Sequence, residues 1–112
     1  MKIAVPTVND EICMHFGHCE VFTIIDVDST NNQILSVKKE VPPPHEPGVL
    51  PKWIGELGVD VVIAGGMGMR AQQLFAQNGV NVIVGATSGK PESIVKSFLD
   101  NTLETGNNVC DH

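Results

Sequence analysis

Tyrosine is absent from this chain and tryptophan occurs once; with four phenylalanines, aromatic side chains make up only 4% of 112 residues. A core without aromatic bulk has to be aliphatic, and apolar residues at 42% are enough to build one. Base is scarce as well: seven Lys and Arg stand against thirteen Asp and Glu, a formal charge of −6. Such a surface repels a phosphate backbone, which argues against nucleic acid and anionic membranes as partners. No apolar run approaches a membrane span, and Met1-Lys2-Ile3-Ala4-Val5-Pro6 is interrupted too soon for a signal peptide, so the cytoplasm is the expected compartment. There is no Cys-x-x-Cys and no pair of close cysteine pairs, so neither a thioredoxin-type motif nor a zinc ribbon is present. Three cysteines cannot all pair within one chain, and a reducing compartment keeps them as thiols. Neither a repeat nor a long linker divides the chain, so residues 1–112 are expected to form a single domain with a polar, mobile tail at 106–112.

What is present is concentrated in residues 13–19, Cys13-Met14-His15-Phe16-Gly17-His18-Cys19, where two thiols and two imidazoles fall within seven residues. Both groups are good ligands for zinc, iron, copper or an iron–sulfur cluster, and the glycine lets the backbone bend so that they converge. The spacing indicates a metal without choosing one. The alternatives are burial of the cysteines as small hydrophobes and hydrogen-bonded histidines that stabilise a turn.

The pattern along the chain predicts a β-β-β-α-β-α-β-α order. Ile3-Ala4-Val5 reads as a strand ended by Pro6, and the β-branched stretch 21–27 as a second strand. Residues 34–41 alternate apolar and polar, as a half-buried third strand should, and the turn-forming residues 28–32 make a hairpin of the two. The proline-rich segment 42–48, containing His45, is a stiff connection. Val49, Leu50, Trp53, Ile54 and Leu57 then recur at helical spacing, with Gly58 as the stop. Residues 59–64 and 80–84 read as buried strands around a helix at 70–77 that ends in Asn78-Gly79. Pro91 opens a last helix whose apolar stripe is Ile94, Val95, Phe98, Leu99 and Leu103.

Right-handed crossovers between parallel strands, together with the hairpin, bring the loops after the first, third, fourth and fifth predicted strands to one sheet edge. In open α/β sheets that edge is where ligands bind. It carries Cys13, His15, His18 and Cys19, the His45 loop, and the loop Gly65-Gly66-Met67-Gly68-Met69-Arg70. The latter is a strand–glycine–helix junction whose backbone amides suit an anion such as the sulfide edge of a cluster, with Arg70 adding positive charge. It lacks a Walker lysine and the full dinucleotide fingerprint. Met67 and Met69 are candidate thioether donors or gap-fillers. Two-metal phosphoryl chemistry needs carboxylates at strand ends, where this sequence has Thr7 and Gly65, so nuclease activity is not expected.

Lys2-Ile3-Ala4-Val5-Pro6, His15-Phe16-Gly17-His18-Cys19 with Phe22, residues 65–71 and the closing Cys110-Asp111-His112 together resemble the dinitrogenase iron–molybdenum cofactor biosynthesis family. This is the NifX-like group that includes the C-terminal part of NifB and a molybdenum–copper orange protein. The resemblance implies a ribonuclease-H-like fold, a five-stranded mixed sheet in the order 3-2-1-4-5 with helices on its faces. It also implies a non-enzymatic carrier that holds an iron–sulfur or molybdenum-containing cluster, or a molybdenum–copper one, and passes it between donor and acceptor proteins. Monomer or weak homo-oligomer is the expected state, and Cys110 and His112 are further candidates. The alternative function is a regulatory module that senses an anion or redox state through Cys13 and Cys19, with no bound cluster.

Overall fold

The computed structural model describes residues 1–13, 19–44, 48–86 and 89–103. The elements are β1 (Lys2–Val8), β2 (Glu11–Ile12), β3 (Val21–Asp28), β4 (Gln33–Glu40), α1 (Val49–Glu56), β5 (Val61–Ile63), α2 (Met69–Gln77), β6 (Asn81–Ile83) and α3 (Pro91–Leu99). This is the mixed α/β architecture with three helices expected from the periodicities.

Alternation in β1 divides the interior in two. Ala4 joins Phe22, Leu50, Ile54, Val62, Met67 and Phe75 in one core, which α1 and α2 cover. Ile3 and Val5 join Ile25, Ile63, Ile94, Val95 and Leu99 in the other, under α3. Successive strand residues point to opposite faces, so a strand buried on both sides must be apolar at every position. The sparse aromatics still meet: the Phe22 and Trp53 rings pack edge to face with centroids 5.8 Å apart.

The sheet path is β4-β3-β1-β5-β6, with β2 pairing β1. β3 and β4 are antiparallel to their neighbours, whereas β5 and β6 run parallel to β1. The chain therefore leaves β1, β4, β5 and β6 at the same edge, and the candidate loops follow those strands.

Four sequence expectations are corrected. Pro6 does not end the first strand, which continues to Val8. β5 pairs only Ile3 and Ala4, and β2 only Thr7 and Val8, so neither neighbour requires the amide that proline lacks. The strand expected to be half-buried, β4, is mostly exposed, with Leu35 63% and Val37 43% accessible, because it is the end strand of the sheet and has a neighbour on one side only among the described residues. β6 is likewise an edge strand and only partly covered. The last helix stops at Leu99: Asn101 takes a left-handed conformation (φ 60°), and Leu103 reaches the α3 core from beyond the helix. By contrast, Gly58 and Gly79 occupy left-handed positions just after α1 and α2 (φ 79° and 76°), as their place in the sequence implied. Among the described residues no helix is long and apolar enough to cross a membrane.

Candidate functional site

The thiol loop is fastened at both ends to the close of β1. Asn9 and Asp10 both adopt positive φ (52° and 62°), the conformation of a two-residue hairpin turn, and β2 runs back along β1. The Cys13 amide then donates to the Pro6 carbonyl at 2.8 Å, and the Ile12 amide to the Gly89 carbonyl at 2.9 Å. On the other side the Glu20 amide donates to the Thr7 carbonyl at 2.9 Å, and the Asn9 amide donates to Glu20 Oε1 at 3.0 Å. Cys13 and Glu20, the residue after Cys19, are thus held by neighbouring residues of one strand.

Cys13 is buried, and Cys19 is half-buried against the core that contains Phe22 and Met67. Burial, reinforced by the nearby Cys13 sulfur, pushes the Cys19 thiol up to about 11, only partly offset by a backbone hydrogen bond. A metal taken up at neutral pH would have to displace that proton. His15, His18 and His45 lie outside the described residues, as do Cys110 and His112. Among the described residues no group of three or more His, Cys, Asp or Glu side chains converges.

The glycine loop lies at the same edge. Ala64 and Gly65 are zipped to the segment after β6: the Gly85 amide donates to the Gly65 carbonyl at 3.0 Å and the Ala86 amide to the Ala64 carbonyl at 3.2 Å. Gly65, Gly66 and Met67 are buried, the Met67 side chain fully, and its carbonyl accepts from Gln72 Nε2 at 2.9 Å. Met67 therefore fills the core, whereas Met69, 63% accessible, and Arg70 stand at the surface.

Gly68 caps α2 with an extended backbone (φ −65°, ψ 155°) that any residue adopts, and a Cβ built there would meet nothing within 4 Å. Neither strain nor crowding demands glycine, and the space a side chain would occupy opens in front of the helix. α2 begins with no side-chain cap and no acidic residue in its first turn, and Arg70 adds positive charge there. Each feature leaves the amides and the positive end of the helix dipole unanswered, which is how an anion site is built.

The sequence reading missed three features near this edge. The β2 hairpin has only the Asn9-Asp10 pair as its signal. Asp10 forms an exposed ion pair with Lys39 at 2.6 Å, and the Lys39 ammonium holds its carboxyl below the usual carboxylate value. Thr7 and Thr23, both buried, are bonded to each other through their hydroxyls at 2.8 Å, which nothing in the spacing announces. A cleft of about 330 Å³ above this pair, lined by Val37, Lys39, Lys90 and Glu92, opens on the α3 face.

The comparisons with known proteins agree with one another. Residues 1–101 match the family model described as dinitrogenase iron-molybdenum cofactor. An uncharacterized protein of Methanocaldococcus jannaschii is 31% identical over 107 residues, covering 93% of this chain and 90% of its own. Among solved structures, a putative dinitrogenase from the same organism superposes with a TM-score of 0.74 at 19% identity, covering 96% of each chain. The apo form of the orange protein from Desulfovibrio gigas gives 0.71 at 20% identity, with 96% of this chain and 93% of that one covered. The chain thus belongs to the dinitrogenase iron-molybdenum cofactor family.

Proposed function

We propose that the protein is a small cytoplasmic carrier, without turnover of its own, that holds an iron–sulfur or molybdenum-containing cluster as cargo and passes it between donor and acceptor proteins. The observation that carries this reading is the placement of a two-thiol loop, anchored at both ends, and an uncapped, glycine-fronted helix terminus at one sheet edge. Thiolates bind the metal, and the α2 amides face the electron-rich sulfides of the same cargo. Cys13 and Cys19 are the proposed thiolate ligands, with His15, His18 and His45 completing the set. Gly65, Gly66 and Gly68 form the floor of the cradle, Met67 supports it from the core, and Met69 and Arg70 border it. The ribonuclease-H-like assignment of the fold belongs to the same proposal.

The closeness of Cys13 to Cys19 leaves a second reading, a redox-sensing module in which the two thiols form a reversible disulfide without a cluster, but the raised Cys19 thiol weighs against it by lowering the thiolate fraction. Anaerobic purification followed by elemental analysis and an absorption spectrum separates the two. Iron, molybdenum or copper with acid-labile sulfide, lost when His18→Ala and Cys19→Ala are combined, is the expected result. A colourless protein that also takes up no cluster on reconstitution would overturn the carrier reading.

A further inference from the structure

Among the described residues β4 is an end strand with exposed apolar side chains, and Leu35 is the extra residue at an irregularity in its pairing with β3. Three of the five large apolar side chains that are exposed among the described residues lie on it or directly after it: Leu35, Val37 and Val41 at 63%, 43% and 75% accessible. Its free backbone groups follow from the ladder. Met1 and Val27 exchange both hydrogen bonds, so alternate residues of β3 counted from Val27 bond to β1. The intervening Phe22, Ile24 and Asp26 bond to their β4 partners Glu40, Lys38 and Ser36. Val37 and Lys39 therefore turn their amides and carbonyls to the open edge.

Charge decides what can approach. The cleft on the α1 side of β4 is lined by Lys2, Asp26, Lys38 and Glu40, and the cleft on the α3 side by Asp10, Lys39, Lys90 and Glu92. These four bases and four acids balance, whereas the described residues outside the two clefts carry three bases, Lys52, Arg70 and Lys96, against six acids, Glu11, Glu20, Asp28, Glu56, Asp60 and Asp100. Among the described residues, a second copy of this chain therefore meets an excess of acid elsewhere and no net charge along this edge.

We propose that β4 is a homodimerisation edge, where two copies join antiparallel strands about a two-fold axis through Val37. Val37 then faces Val37 of the second copy. Lys38 faces Ser36 of the second copy, which sits beside Asp26 in its own sheet, so the two lysines gain carboxylate partners. Axes through Lys38 or Lys39 would oppose like charges, so the lysines that guard this edge against indiscriminate pairing also select the register.

Sedimentation of the full chain over a concentration series, up to millimolar, tests this. Wild type is expected to move from 12.0 kDa to twice that mass. Val37→Lys and Val37→Pro, which alter an outward-facing position and leave the β3 ladder intact, should each weaken association at least about tenfold with an unchanged circular dichroism spectrum. Lys38→Asp should weaken it too, and adding Asp26→Lys should restore it. A wild type that stays monomeric throughout, a dimer undiminished in both Val37 variants, or a charge reversal that the second substitution does not rescue would overturn the proposal.

Discussion

The raised Cys19 thiol can be tested directly on metal-free protein. Its half-buried position and the neighbouring Cys13 lift it from 9.0 to about 11. Since only the thiolate is nucleophilic, the reactive fraction near pH 8 should be about 100-fold below that of the same thiol in an unfolded peptide. Alkylation by iodoacetamide, followed peptide by peptide in the mass spectrometer, should rise about tenfold per pH unit from 7 through 10 without levelling. Poor access alone would lower every rate yet leave the profile flattening near 9, so the shape separates the two causes. Cys13→Ala removes the second cause, leaving burial as the larger one, and should move the profile only part of the way back. The sign for stability follows. Between pH 9 and about 11 the unfolded chain loses this proton first, so whatever Cys19 contributes is fully present below 9 and fades as pH climbs toward 11. A Cys19 rate that levels at pH 9 in the folded protein would refute the reasoning.

Two further outcomes follow from named contacts. Thr7 Oγ1 donates to the Val5 carbonyl at 2.8 Å, which leaves Thr23 Oγ1 as the donor in the Thr7–Thr23 bond. Thr7→Val strands the buried Thr23 proton and should cost about 1–3 kcal/mol, whereas Thr23→Val removes only an acceptor's partner and should cost about 1 kcal/mol or less; equal costs in urea denaturation would contradict this direction. At Gly68, where a Cβ meets nothing within 4 Å, Gly68→Val should change unfolding free energy by only about 0.5 kcal/mol yet reduce cluster uptake on reconstitution, and undiminished uptake would remove the glycine from the cradle.

The helices were legible because their signals are local. Leu50, Ile54, Ile94 and Val95 sit at helical spacing, and Gly58 and Gly79 stop the chain where left-handed residues are needed. The first strand was misjudged at Pro6 because a proline is judged by the donor it lacks. Whether that donor is needed depends on where β5 ends and β2 begins, two segments far apart or too short to show a period. The exposure of β4 was hidden for a related reason: alternation records two faces and carries no information on whether a strand stands inside the sheet or at its end.

The sequence by itself determined the aliphatic core, the acid excess, the three helices and the gathering of thiols and imidazoles into residues 13–19. Composition and short-range periodicity suffice for these, since each depends on residues within a few turns or strand lengths of one another. Only the tertiary structure decided that the Cys13 amide meets Pro6, that burial keeps a proton on Cys19, and that the space before Gly68 is empty while Met67 is sealed in the core. Those properties belong to chain segments brought together across the sheet, where hydrogen bonds, desolvation and excluded volume act through space and independently of separation along the chain.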